Sequence, residues 1–438
     1  LIAYINSDEA RGREFLRDEV EHYPGNADIQ PYRGMMDTDG TVPDTESVLK
    51  PGFMQVLGRM IQAGRKSELG RSNTILFINT YYPDFIDSHY RRNPGLSDAS
   101  YDVQKNSLEN ACFGDSDFYS RGIRHAGWAA DDLIVNCLPL QQAWARENGF
   151  AFQNFLDIAV EQVRRVQPDV VYLQDMTLAN AGFLGAIRPC VKLIAGQIGS
   201  KIPEQALLSE LDVIFTSFPH FVAPLREKGL TTYYQPLAFP EHVLQRPVST
   251  ERKYPVTFVG SLVGSHTWLK GTELLQTLCT GNLPISLWGY GIEDHAGDSP
   301  IQKTYRGEAW GGDMFDIFRQ SKITVNRHGE IAENFANNMR LFEATGCGTL
   351  LITDYKDNLN DLFEIGKEVV AYRSPEECAA LVRYYLAHPE EAETIVRAGQ
   401  DRTLRDHTYG TRMAQTADIL QRHLRYREER DLFPAVDH

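Results

Sequence analysis

The chain has 438 residues, of which 42% are hydrophobic and 11% aromatic, enough apolar material for a large buried core and a length at which two or three domains are expected. Its 44 Lys and Arg face 59 Asp and Glu, a net charge of -15, which excludes a general attraction to nucleic acid or anionic membrane and leaves any anionic ligand to a local basic pocket. Six cysteines lie scattered without a CxxC pair or a Cys/His cluster, which argues against structural zinc and a dense disulfide framework and fits a reducing cytoplasm.

The chain opens Leu1-Ile2-Ala3-Tyr4 and turns polar at once, unlike a signal peptide, and no later apolar run is long enough to span a bilayer. Stable membrane insertion is therefore not expected. Residue 1 is not Met, which leaves room for a preceding segment. Residues 1–72 read as an extension, with helical pieces around 10–20 and 53–63 joined by Pro-, Gly- and Asp-rich connections.

From residue 73 to 240 short β-rich apolar runs alternate with turns and helical stretches, the pattern of a parallel sheet flanked by helices. Strands are predicted at 75–79, 133–137, 170–174, 191–195 and 213–216. A proline-punctuated stretch from Pro236 to Pro255, with Glu251-Arg252-Lys253 inside it, reads as an interdomain linker. The pattern restarts over 254–410, with strands predicted at 256–259, 285–288, 323–326, 349–353 and 369–372. Two Rossmann-like halves are the simplest architecture. Within 411–438 a helix over 411–425 carries Met413, Ala417, Leu420 and Leu424 on one face.

In open parallel sheets ligands bind beyond the carboxyl ends of the strands, so strand-end loops are where chemistry is expected. The loop from Gly260-Ser261 through His266 to Lys270 combines glycines with a cation before a helix, suited to a phosphate or to a plain tight turn. It lacks the Gly-Lys-Ser/Thr order of a Walker loop, and Gly289-Tyr290-Gly291 lacks the third glycine of a dinucleotide fingerprint. Tyr305-Arg306-Gly307 forms another such loop, able to read a base through its backbone or simply to turn the chain.

The segment Asn326-Arg327-His328-Gly329-Glu330, then Asn337-Asn338-Met339-Arg340 and Glu343, holds the densest set of candidates. On a helix Arg340 and Glu343 are neighbours, so Arg340 could meet a diphosphate and Glu343 the hydroxyls of a ribose. The plain alternative is a surface Arg/Glu pair. In the first half Asp84, Asp87 and His89 follow the first strand and are candidate bases for an acceptor hydroxyl. Asp175 follows the third strand and either faces a cleft or caps a helix. Two Asp-x-Asp triplets, Asp37-Thr38-Asp39 and Asp115-Ser116-Asp117, raise the question of a divalent metal; the second reads better as a helix cap. No GxSxG elbow and no HExxH spacing occurs.

The ordered series Tyr254 to Ser261, Ser321 to Asn326, Asn338-Met339-Arg340-Leu341-Phe342-Glu343, Gly346-Cys347-Gly348, Thr353-Asp354-Tyr355 and His407-Thr408-Tyr409 resembles the CgeB-like glycosyltransferases. The likeness spans the C-terminal half and extends more thinly to about residue 74. It implies a GT-B fold, two Rossmann-like domains facing each other across a cleft, with a nucleotide-sugar (UDP- or GDP-sugar) as co-substrate, no cofactor and no required metal. It also implies a protein, glycan or small-molecule acceptor held by the N-terminal domain, Arg340 and Lys270 at the diphosphate and Glu343 at the ribose; on mechanistic grounds His328 is expected near the sugar or phosphate. In related retaining enzymes a second glutamate stands eight positions before the ribose glutamate; here that position is Phe335, with Glu330, Glu333 or Asn337 as substitutes. The same cleft would serve a sugar-nucleotide epimerase, and the missing glutamate also fits a non-catalytic nucleotide- or sugar-binding protein.

Overall fold

The computed structural model describes residues 72–249, 251–263 and 269–432. The predicted extension, Asp37-Thr38-Asp39, His266 and the Lys270 side chain lie outside the described residues. Residues 73–427 form one compact unit containing two wholly parallel sheets.

The first sheet holds β1 (Thr74–Asn79), β2 (Ala129–Ile134), β3 (Val170–Leu173), β4 (Leu193–Ile198), β5 (Val213–Thr216) and β6 (Thr232–Tyr234) in the order β2-β1-β3-β4-β5-β6. Successive side chains of a strand point to opposite faces, and each face here has its own core. Phe77, Tyr172 and Phe215 pack on one side, and Ile78, Val171 and Ile214 on the other. Strands β3 and β4 are buried at every position because helices cover both faces.

The second sheet holds β7 (Tyr254–Val259), β8 (Ile285–Trp288), β9 (Ser321–Val325), β10 (Leu350–Asp354) and β11 (Val370–Tyr372) in the order β11-β10-β9-β7-β8. One face buries Phe258, Val325 and Ile352 beneath the helices Leu269–Thr280, which contributes Leu275, and Pro375–Ala387. The opposite face buries Val259 and Leu351 in one core with Phe315 of the helix Gly312–Arg319 and Phe342 of the helix Met339–Gly346.

The observed bounds of β5 and β8 coincide with the predicted ones, but two strands are displaced. Strand β2 starts at Ala129, four residues before the prediction, and carries Asp131 and Asp132. It lies at the sheet edge, where pairing of Ile78 with Leu133 sets the register and an exposed Asp131 is tolerated. Strand β4 runs on through Gly196-Gln197 to Ile198. Strand β6, three residues long, has too little periodicity to be predicted.

The proline-rich segment between the sheets is tied down by the last crossing of the chain. The Phe239 amide donates to the His407 carbonyl at 2.8 Å, and the Tyr409 amide donates to the Phe239 carbonyl at 3.1 Å. The helix Tyr409–Leu432 is longer than predicted. Its Met413, Ala417, Leu420 and Leu424 are buried in the same core as Phe77 and Tyr119 of the first half. All six cysteines are free. No helix among the described residues is long and apolar enough to cross a membrane.

Candidate functional site

In the second sheet β7 lies between β9 and β8, so the chain leaves β7 in one direction and returns on its other side. Such a switch point opens a crevice beyond the carboxyl ends of the two central strands, here Val259-Gly260-Ser261 and Val325-Asn326-Arg327. Three chain segments are stitched together there. The Arg327 guanidinium donates through Nη2 to the Ser261 carbonyl at 2.9 Å. Asn338 caps the helix Met339–Gly346 by accepting from the Arg340 amide at 2.7 Å, and its Nδ2 donates to the Arg327 carbonyl at 3.0 Å. Arg340 Nε donates to the Val259 carbonyl at 2.9 Å, and its Nη1 pairs with Glu343.

The Arg340–Glu343 neighbours of the helix are therefore not a solvated surface pair, because Glu343 is only 2% exposed. Burying a carboxylate is costly without a charged partner, and Arg340 is that partner at the mouth of the crevice. Asn326 sits deeper than predicted: its Nδ2 donates to Thr353 Oγ1 at 3.0 Å and its carbonyl accepts from the Tyr372 hydroxyl at 2.9 Å, so its side chain braces the sheet.

Tyr305-Arg306-Gly307 runs beside the end of β8. The Arg306 amide donates to the Leu287 carbonyl at 2.8 Å, the Gly289 amide to the Gly307 carbonyl at 3.1 Å, and the Tyr305 hydroxyl to the Gly289 carbonyl at 3.0 Å. Gly289 has φ 146, and a Cβ there would land on the Gly260 carbonyl oxygen. Gly289-Tyr290-Gly291 thus serves close packing of two strand-end loops. Beside it the Tyr290 ring stacks on Trp310, centroids 5.7 Å apart, and Tyr82 of the first half meets Trp310 edge-on at 6.1 Å.

On the other side of Arg327 a cavity of about 750 Å³ opens beyond β9, β10 and β11. His328 lines it, with a fully buried side chain. Its Nδ1 lies 2.6 Å from Asp354 Oδ1, which also accepts the His328 amide at 3.0 Å. Burial would raise the Asp354 carboxyl, but His328 and Lys356 outweigh it and hold the group below the usual carboxylate range. Glu330 lies on the exposed rim of the same cavity. Sequence reasoning missed Asp354 as a site residue; its place at the polar carboxyl end of the apolar strand β10, matching Asn326 to His328 after β9, is the signal that would have found it.

The first-half candidates are dispersed. Asp84 and Asp87 are exposed on the helix Pro83–Arg92, while His89 Nε2 lies 2.9 Å from Ser107 Oγ and burial pulls its pKa down. Asp175 accepts from the Thr177 amide at 2.9 Å and from the Thr80 hydroxyl, so it caps a short turn and ties β3 to β1. Asp117 occupies the N-cap position of Phe118–His125 but does not cap it, pairing with Arg121 at 2.6 Å instead. Asp115 accepts from the Tyr409 hydroxyl at 3.0 Å. Among the described residues the carboxylates that approach a metal-like grouping are Glu109, Asp131 and Asp132, and there the Lys105 ammonium already pairs with Asp131 and Glu109.

Two parallel Rossmann-like sheets in one chain, polar arms gathered beyond the second, and a last helix returning to the core of the first make this a GT-B fold, the architecture of a large class of glycosyltransferases. Residues 267–418 match a family model described as glycosyl transferase-like. The structure is similar to a glycosyltransferase from Rickettsia africae ESF-5 at a TM-score of 0.52 and 11% identity, covering 81% of this chain and 99% of that one. It is likewise similar to Anabaena Alr3699/HepE in complex with UDP-glucose (TM-score 0.51, 12% identity, 80% and 99% covered). Sucrose-phosphate synthase (tll1590) from Thermosynechococcus elongatus matches at a TM-score of 0.50 and 14% identity, with 80% and 99% covered. No curated protein matches the chain in sequence.

Proposed function

We propose that the protein is a glycosyltransferase of the CgeB-like group, moving a hexosyl unit from a UDP-sugar to a glycan, protein or small-molecule acceptor without a metal. The observation that carries this reading is the buried Arg340–Glu343 pair at the switch point, anchored to the end of β7. A departing diphosphate needs positive groups already in place, so that no reorganisation accompanies bond breaking. Arg340, Arg327 and the amides at the start of the helix Met339–Gly346 supply them, and Lys270 from the neighbouring helix is the further cation expected there. Glu343 exchanges part of its contact with Arg340 for the hydroxyls of the ribose. HepE was solved with UDP-glucose, which favours uridine over guanosine as the base.

Phe335 stands where a second carboxylate would be and stacks on His220 of the first half, ring centroids 4.9 Å apart. In this reading the sugar is recognised instead by the loop before the helix, with Glu330, Glu333 and Asn337. The test is to incubate the chain with UDP- and GDP-hexoses and follow both the nucleoside diphosphate and the sugar. Release of UDP with transfer of the sugar is expected. Isomerised donor without release would identify an epimerase, and tight binding with neither product a non-catalytic binder.

A further inference from the structure

The cavity beyond β9, β10 and β11 contains one arrangement that nucleotide binding does not explain. His328 is held at two points by one carboxylate oxygen: Asp354 Oδ1 accepts from its backbone amide and lies 2.6 Å from Nδ1. Asp354 is kept ionised by its surroundings, so it accepts, and Nδ1 must carry the proton. Nε2 is then the ring nitrogen left to exchange a proton with a ligand. That atom is shielded from bulk water and has no hydrogen-bond partner, a costly state for a buried polar group unless a ligand completes it.

The surrounding charges favour a hydroxyl as that ligand. Arg327, Lys356 and Arg373 line the same cavity, and Asp354 pairs with Lys356 as well, at 3.4 Å. These cations favour an approaching anionic or polarised oxygen. Glu273 is exposed at the opening, where a carboxylate accepts hydrogen bonds from a polyol, and Glu330, Glu333, Tyr355 and Tyr372 complete the titratable lining. A cavity of about 750 Å³ is of the size that takes a sugar-sized molecule.

We propose that His328, oriented by Asp354, is the base that removes the proton from the acceptor hydroxyl, and that the acceptor enters through this cavity. The proposal rests on the sugar-transfer reading above. As the acceptor oxygen forms its bond to the anomeric carbon, its O–H bond breaks and the proton passes to Nε2. The bond from the anomeric carbon to the phosphate oxygen breaks, and its electron pair leaves on the nucleoside diphosphate. The imidazolium so formed is stabilised by the Asp354 carboxylate, the division of labour seen wherever a carboxylate orients a histidine base. Direct displacement of this kind inverts the anomeric centre.

Two measurements on the full chain test it. The first is the histidine tautomer, read by long-range nitrogen–proton NMR correlation on wild type and Asp354→Asn. A wild-type ring protonated on Nδ1, with that preference lost in Asp354→Asn, is expected; a wild-type proton on Nε2 overturns the proposal whatever the substrate proves to be. The second is nucleotide release from UDP-hexoses with water as acceptor, across pH. His328→Gln and Asp354→Asn are expected to bind UDP within about twofold of wild type, to lose on the order of 10²-fold or more in turnover, and to lose the acid limb of the pH profile. Wild-type turnover with an intact acid limb in His328→Gln, or retention of the anomeric configuration in the first-formed product, contradicts it. Failure of every nucleotide to bind the wild type would retire the sugar-transfer reading, and with it this step.

Discussion

His407 and Asp115 show how single groups withdrawn from solvent tie this protein's stability to pH. His407 is 4% exposed, its Nε2 is 2.8 Å from the Leu362 carbonyl and its Nδ1 is 2.7 Å from Arg412 Nη2. Burial pulls its pKa down to about 4, and the Arg412 charge adds to the fall. Between an unfolded value of about 6.5 and the folded value, the unfolded chain binds more protons, so stability is lost as pH falls through that window. The loss is on the order of 3 kcal/mol when complete. Asp115 works in the opposite sense: burial pushes it up to about 6, with Glu343 adding and the Tyr409 bond opposing. The folded state therefore holds its proton more tightly and gains as pH falls. Urea denaturation from pH 7 to 4 should show a shallower loss in His407→Gln and a steeper loss in Asp115→Asn than in wild type; parallel curves would count against both assignments. A third residue-scale expectation concerns the ion pair. Arg340→Met leaves Glu343 buried without its cation and should cost roughly 2 to 4 kcal/mol, measured by the same method at pH 7.

At the level of elements, the loops after β7 and β8 are the most exacting part of the fold. A side chain at Gly289 would strike the Gly260 carbonyl from a backbone angle that L residues avoid. Gly289→Ala should cost roughly 3 kcal/mol or more and weaken nucleotide binding together with stability, checked by thermal unfolding with and without UDP. Much of this was legible in the sequence. The buried strands β5 and β8 announce themselves as short apolar runs bounded by polar residues, and the Arg340–Glu343 spacing could be read as one helical face. Strand β2 could not be read, because Asp131 and Asp132 break its apolar pattern and only pairing with β1 fixes its register. Nor could the His328–Asp354 pair: 26 residues separate its members, and only the parallel pairing of β9 with β10 brings the two strand ends together. Asp115-Ser116-Asp117 illustrates the reverse error, since the N-cap position is right while the side chain has gone to Arg121.

Over the whole of residues 73–427, the two halves are joined by more than their linker. The Gly312 amide donates to the Ala111 carbonyl at 2.8 Å, and a Cβ at Gly311 would collide with that same carbonyl. Arg92 pairs with Asp313 at 2.8 Å nearby. Gly311→Ala should therefore loosen the contact between the halves, lowering the melting temperature by several degrees, a change of roughly 2 kcal/mol, while near-normal circular dichroism reports that both sheets remain. The paired crossings at Phe239 and His407 to Tyr409 tie the linker to the start of the last helix.

The central claim is that a nucleoside diphosphate binds at the switch point of the second sheet through Arg340 and Glu343. It is tested most directly by thermal unfolding of wild type and Glu343→Gln with UDP, GDP, CDP, ADP and NAD, since a ligand that binds only the folded state raises the melting temperature. A rise with UDP in wild type, abolished in a folded Glu343→Gln, is the predicted result; no rise with any nucleoside diphosphate, or an equal rise in both proteins, would contradict it.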